Sequence, residues 1–135
     1  MAFLQAKLSD GHLPATEYIP AAAGTYTVGQ ALVFSGGKLV TVASGVGQDT
    51  DEGKHYVCQA DVTLAAADDL AVIAADEDLY FETELQADND SLALGAKYCI
   101  HTDGKCITST TTKGCFTVLE ADGKTAGAKV RGILE

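Results

Sequence analysis

Helical periodicity is nearly missing from this chain. Apolar residues come instead in short alternating runs, broken about every 8 to 12 residues by glycine-bearing turns, and that combination is the pattern of an antiparallel all-β protein. The runs predict strands over 16–19, 30–34, 38–42, 55–60, 70–74, 80–85, 97–101, 105–109, 115–120 and 128–134. Only 64–75 has the alanine content of a helix. Its Asp68-Asp69 pair suits a turn and its β-branched Val72-Ile73 suits a strand, so a loop over 65–69 followed by a strand is expected there. The expected fold class is all-β: a small antiparallel β-barrel or sandwich.

A length of 135 residues suits a single domain, taken here as 21–135, with residues 1–20 as an irregular N-terminal arm. The arm has few apolar residues, a Ser9-Asp10-Gly11 turn signal and both prolines, Pro14 and Pro20. Proline cannot donate to a ladder, so the segment is either an edge strand or an arm that orders on a partner. Residues 45–53 read as an exposed loop tip. Although 47% of the chain is apolar, 21 residues are alanine, which predicts a thin core rich in small side chains.

A hairpin pattern recurs. Val28-Gly29-Gln30-Ala31-Leu32-Val33-Phe34, a Gly36-Gly37 turn and Lys38-Leu39-Val40-Thr41 match Leu94-Gly95-Ala96-Lys97-Tyr98-Cys99-Ile100, an Asp103-Gly104 turn and Lys105-Cys106-Ile107-Thr108. Each unit reads as a glycine leading into a strand, a tight turn with positive φ, and a return strand. Gly127-Ala128-Lys129-Val130 begins the same way without a following hairpin, and ordinary reuse of turn chemistry accounts for it.

The formal net charge of -10 excludes binding that neutralises nucleic-acid phosphates and disfavours an anionic membrane surface. No apolar run approaches the roughly 20 residues of a spanning helix, and Met1-Ala2-Phe3-Leu4-Gln5-Ala6-Lys7 lacks the order of a signal peptide, so a soluble protein made in the cytoplasm is expected. Carboxylates crowd residues 68–90 (Asp68, Asp69, Asp76, Glu77, Asp78, Glu82, Glu84, Asp88, Asp90), a stretch without Lys or Arg, which predicts a solvated acidic face. Asp88-Asn89-Asp90-Ser91 and Asp49-Thr50-Asp51-Glu52 resemble calcium-ligand runs but lack the full loop pattern.

Catalytic motifs are not apparent. His12, His55 and His101 stand outside any nucleophile motif, Gly36-Gly37-Lys38-Leu39 lacks the hydroxyl and helix of a phosphate loop, and Glu82 and Glu84 lie two apart on one strand face, as on a polar surface. With no tryptophan and 7% aromatics, stacking platforms for sugars or single strands are not expected. Cys58, Cys99, Cys106 and Cys115 show no paired spacing and read as buried, reduced hydrophobes. Cys99, His101 and Cys106 could share one strand-pair face, an alternative three-ligand metal site. Across a two-residue Asp103-Gly104 turn His101 lies opposite Cys106 and Cys99 diagonal to it, which disfavours a disulfide. The expectation is therefore no enzyme, no cofactor and no metal.

The order of Thr27-Val28-Gly29-Gln30-Ala31-Leu32 with Gly36-Gly37-Lys38-Leu39-Val40, Val72-Ile73, Asp78-Leu79-Tyr80-Phe81-Glu82, Leu94-Gly95-Ala96-Lys97 with Asp103-Gly104-Lys105, Thr110-Thr111-Thr112-Lys113-Gly114 and Ala126-Gly127-Ala128-Lys129-Val130-Arg131 resembles the small head decoration, or capsid cement, proteins of tailed phages and prophages. The resemblance covers roughly residues 20–135 and rests on turns and strand patterns. It implies a small β fold that binds the outer surface of the expanded virion head, with the major capsid protein as partner, a homotrimeric arrangement on the capsid and a head-stabilising role. On that reading the arm docks by β-augmentation. Phe3, Leu4, Leu8, Leu13, Tyr18 and Ile19 are the expected capsid contacts, as apolar residues in an otherwise polar segment, and removal of residues 1–20 is expected to leave the β domain folded. The competing expectations are a phage tail, fibre or adhesin-like module with a calcium-lined ligand site, and a small metal-dependent enzyme using Cys99, His101 and Cys106.

Overall fold

The computed structural model describes residues 2–8 (4–8 as backbone only), 15–42, 55–66, 68–75 and 79–134. In chain order the strands are β1 (Leu4–Leu8), β2 (Glu17–Pro20), β3 (Gly24–Tyr26), β4 (Ala31–Ser35), β5 (Lys38–Thr41), β6 (His55–Cys58), β7 (Val62–Leu64), β8 (Asp69–Ala74), β9 (Leu79–Glu84), β10 (Lys97–Tyr98), β11 (Phe116–Ala121) and β12 (Lys129–Leu134). The described residues contain no helix, hence none long and apolar enough to cross a membrane, and 64–75 turns into β8 as its β-branched residues predict.

Two five-stranded antiparallel sheets carry the fold, ordered β1-β9-β12-β11-β10 and β2-β8-β6-β4-β5, beside a β3-β7 ribbon. Neither closes into a barrel. Alternation is cleanest on β9, where Leu79, Phe81 and Thr83 are buried and Tyr80, Glu82 and Glu84 are half-exposed. Its inward residues join Phe116, Val118, Val130 and Leu134 from the same sheet and Ala31, Val57 and Ile73 from the other, so one apolar cluster packs both sheets together. The second sheet is buried on its other face too. Leu32, Leu39, Cys58, Leu70 and Val72 form a further cluster with Ala21 and Tyr26, flanked by Val62 and Leu64 of the ribbon. A sheet covered on both faces loses strict polar alternation, and β4 accordingly begins with Ala31, Leu32 and Val33 all buried.

Several expectations change here. Small side chains are frequent in the core as expected, but they are mostly valine and cysteine: among described residues alanine supplies only Ala21, Ala31 and Ala75, while Phe3, Phe81 and Phe116 are the largest fully buried side chains. Residues 1–20 are not set apart where they are described. β1 pairs with β9 and β2 with β8, each at a sheet edge, which is the edge-strand alternative that the prolines allow, with Pro20 closing β2. The predicted strand 97–101 shortens to β10, and 105–109 makes only isolated bridges at Ile107. Strands β3 and β7 were not expected, and β1 lies outside the predicted runs though within the segment read as a possible edge strand. The loop tip at 45–53 lies outside the described residues.

The repeat, in contrast, goes further than its sequence suggests. Gln30, Ala96 and Ala128 each donate a backbone N–H to the carbonyl three residues back, at 3.1, 3.3 and 3.0 Å, closing turns whose third residues Gly29, Gly95 and Gly127 have φ of 84°, 86° and 82°. Each glycine N–H then bonds the carbonyl of one facing residue (Cys58, Val118 or Leu85), whose own N–H returns to the carbonyl after the glycine. Two residues thus oppose one, a β-bulge that starts with a left-handed glycine. The third copy, expected to be coincidental turn chemistry, has the same bonding as the other two.

Candidate functional site

The expected contact residues do not form one patch. Phe3 is a core residue at 1% exposure, its ring edge-on to Phe116 at a centroid distance of 5.6 Å and its N–H bonded to Gly29 O at 2.7 Å. It is therefore withdrawn as a capsid contact: reaching a partner would cost its burial. Leu4 and Leu8 lie on β1 opposite Glu82 and Leu79, and Leu13 falls outside the described residues. Ile19 packs against the outer cluster beneath β2. Among those with a described side chain, Tyr18 is the one freely presented, at 70% exposure on edge strand β2 opposite Ala71. Removing residues 1–20 would also strip Phe3 from the core and β1 and β2 from both sheets, so such a truncation does not separate binding from folding.

A second exposed apolar site was not foreseen. Gly95 N–H bonds Val118 O at 2.7 Å, which brings the turn bearing Leu94 beside the β11 bulge bearing Leu119. Leu94 is 66% exposed and forms, with Leu92, Ala121, Asp122, Gly123 and Lys124, a shallow open cleft of about 260 Å³. Apolar residues flanking turns carry no sequence signal of exposure, which is why it was missed.

The acidic stretch is partly neutralised by its neighbour. Glu82 and Glu84 share the outer face of β9, as their spacing predicts, but the register sets Arg131 and Lys129 of β12 opposite them. Arg131 Nε donates to Glu82 Oε2 at 2.9 Å, while its terminal nitrogens grip both Asp122 oxygens at 3.1 and 3.3 Å. Those bonds hold the Asp122 carboxyl below the usual carboxylate range. At Asp88-Asn89-Asp90-Ser91, Asp88 Oδ1 accepts Ala126 N–H at 2.7 Å and Asn89 Oδ1 accepts Ser91 N–H at 3.2 Å, which ties this run to the 124–126 loop and closes its own turn. The run at 49–52 lies outside the described residues.

The turn of the second hairpin gathers metal-ligating atoms. Ile100 faces Ile107 and His101 N–H bonds Cys106 O at 2.8 Å, the register expected of the Asp103-Gly104 turn. His101 Nδ1 lies 3.2 Å from Asp103 Oδ1, and Cys106 Sγ lies 3.7 and 4.0 Å from the two Asp103 oxygens. The third partner is thus Asp103, read from sequence only as a turn residue, and not Cys99, whose thiol donates to Thr112 O at 2.9 Å. Burial, with Asp103 beside it, pushes the Cys106 thiol up to about 12. All four cysteines are buried and free of disulfides, as expected.

A scan against protein families and a search of curated proteins each found no match for the chain.

Proposed function

We propose that the protein is a phage head decoration protein that binds the outside of the mature capsid as a trimer and stabilises it, with the major capsid protein as its partner. The observation that carries the reading is that the N-terminal segment supplies an edge strand to each sheet and displays Tyr18 there at 70% exposure. Edge backbone is the substrate of β-augmentation, and an exposed tyrosine beside it is a typical interface anchor. An all-β scaffold without a helix among its described residues supports the same reading, as does the resemblance of its turn pattern to capsid cement proteins. Contacts of modest strength repeated around a shell add through multivalency, so a single shallow surface suffices.

The test is cosedimentation of the full chain with expanded heads of the phage or prophage whose genes flank its own. Tyr18→Ser is expected to weaken binding by about 10-fold or more while the folded state is kept, since the side chain is mostly solvated. Leu94→Ser, at the separate cleft, is expected to bind as the wild type does. Equal binding by wild type and Tyr18→Ser would reject the N-terminal edge as the contact. Failure of the wild type to bind heads would reject the function.

A further inference from the structure

We propose that His101, Asp103 and Cys106 form a zinc(II) site in the turn of the second hairpin, through His101 Nδ1, an Asp103 carboxylate oxygen and Cys106 Sγ. Their ligand atoms all lie within 4.8 Å of one another. A tetrahedral zinc with N and O at about 2.0–2.1 Å and S at about 2.3 Å sets N and O about 3.3 Å apart and S and O about 3.6 Å apart. The corresponding separations here are 3.2 Å and 3.7 Å, and the His101 nitrogen and Cys106 sulfur, which tetrahedral zinc sets about 3.6 Å apart, lie within 4.8 Å, so binding draws the imidazole and the thiol together. One imidazole, one carboxylate and one thiolate make a mixed donor set that suits this borderline-soft cation.

Contacts within the turn bring the ligand atoms together. His101 Nδ1 lies 3.3 Å from Asp103 N and 3.2 Å from Asp103 Oδ1, and that oxygen accepts Lys105 N–H at 2.8 Å, so zinc would replace the contact between the imidazole nitrogen and the turn. The loop is also pre-positioned. Gly104 O accepts Ala31 N–H at 2.7 Å, Lys105 O accepts the Thr83 hydroxyl at 2.9 Å, and Ile107 N–H donates to Glu84 O at 3.1 Å. Gly104 itself has φ of 73° and sits where a Cβ would come within 2.7 Å of Ala31 O, so the turn fits against β4 only with glycine. The ligands are thereby held on a loop tied to β4 of one sheet and β9 of the other. Cys106 is buried, while His101 and Asp103 are 35% and 40% exposed, which leaves the fourth position to water. On binding, the Cys106 S–H bond breaks, its proton passes to solvent and the sulfur pair forms the bond to zinc; no oxidant or reductant enters. The site's role is structural, stiffening the turn that is tied to both sheets, and does not depend on capsid binding.

The test uses the reduced, chelator-treated full chain titrated with zinc chloride and, as a spectroscopic probe, cobalt(II) chloride. Expected are one equivalent of metal, a rise in melting temperature with zinc, and a cobalt spectrum with four-coordinate visible bands and a near-ultraviolet sulfur-to-metal band. Cys106→Ser should abolish the sulfur band. His101→Gln and Asp103→Asn, at part-exposed positions that leave folding intact, should each weaken zinc binding by about 100-fold. Absence of the sulfur band from the wild type, its persistence in a folded Cys106→Ser, or wild-type affinity in both His101→Gln and Asp103→Asn would overturn the site.

Discussion

Cys58 sits at the junction of the outer cluster and the first bulge, with no exposed surface, and its thiol donates to Ala60 O at 3.0 Å. Burial raises it above the ordinary thiol value of about 9. The folded chain therefore keeps this proton at pH values where the unfolded chain has released it. The stabilisation is complete below about pH 9 and falls as pH rises further, by up to about 1.4 kcal/mol per pH unit for each such thiol. Melting temperatures between pH 7.5 and 10.5 should decline for the wild type and decline less steeply for Cys58→Ala, whatever the baseline cost of that substitution. Parallel profiles for the two proteins would remove Cys58 from the effect. Burial of the cysteines was legible in their composition, because no partner spacing or oxidising context competed for them. The burial of Phe3 was not: nothing local distinguishes an aromatic that anchors an arm to a partner from one that turns back onto Phe116, more than a hundred residues away in the chain.

Among elements, the three glycine turns test how far a local motif determines the fold. Alanine at a left-handed position costs about 1–2 kcal/mol from backbone strain alone. A Cβ at Gly95 or Gly127 would meet nothing within 4 Å, whereas at Gly29 it would lie 2.5 Å from Ala2 Cβ and 3.1 Å from Phe3 O. Urea denaturation should therefore give similar losses of about 1–2 kcal/mol for Gly95→Ala and Gly127→Ala, and a clearly larger one for Gly29→Ala. A Gly29→Ala loss no greater than the others would mean that the N-terminal segment yields at no cost. Turn chemistry of this kind is written in two or three adjacent residues, and the positions of β4, β5, β8, β9, β11 and β12 followed from it to within a residue or two. Strands β3 and β7 have three residues each, too few to show a period, and exist because they pair with one another over the outer cluster. The run at 105–109 alternates like a strand, and Cys106 O and Thr108 N–H do pair back to His101 and Cys99, but Lys105 O and Ile107 N–H go to Thr83 and Glu84, so the expected return strand is reduced to an isolated bridge beside the turn that holds His101, Asp103 and Cys106.

At the scale of the whole molecule, the second sheet decides the mechanics. It packs the shared cluster on one face and the outer cluster on the other, so neither cluster can be exposed without unpairing or baring the same strands, β4, β6 and β8. The head-stabilising role proposed above would draw on that arrangement, because load on any layer is resisted by the others. The consequence in solution is a single cooperative unfolding transition. With no tryptophan in the chain, tyrosine fluorescence reports the packing: Tyr26 lies in the outer cluster and Tyr98 in the shared one. Urea midpoints from tyrosine fluorescence and from far-ultraviolet circular dichroism should coincide. Tyr26→Phe, which removes the 2.6 Å bond from its hydroxyl to Ala22 O, should lower both midpoints together, by an amount equivalent to about 1 kcal/mol. If the fluorescence transition instead moved ahead of the dichroism in this variant, the outer ribbon would be an independently melting layer, and stress on it would not reach the strands that carry the shared core.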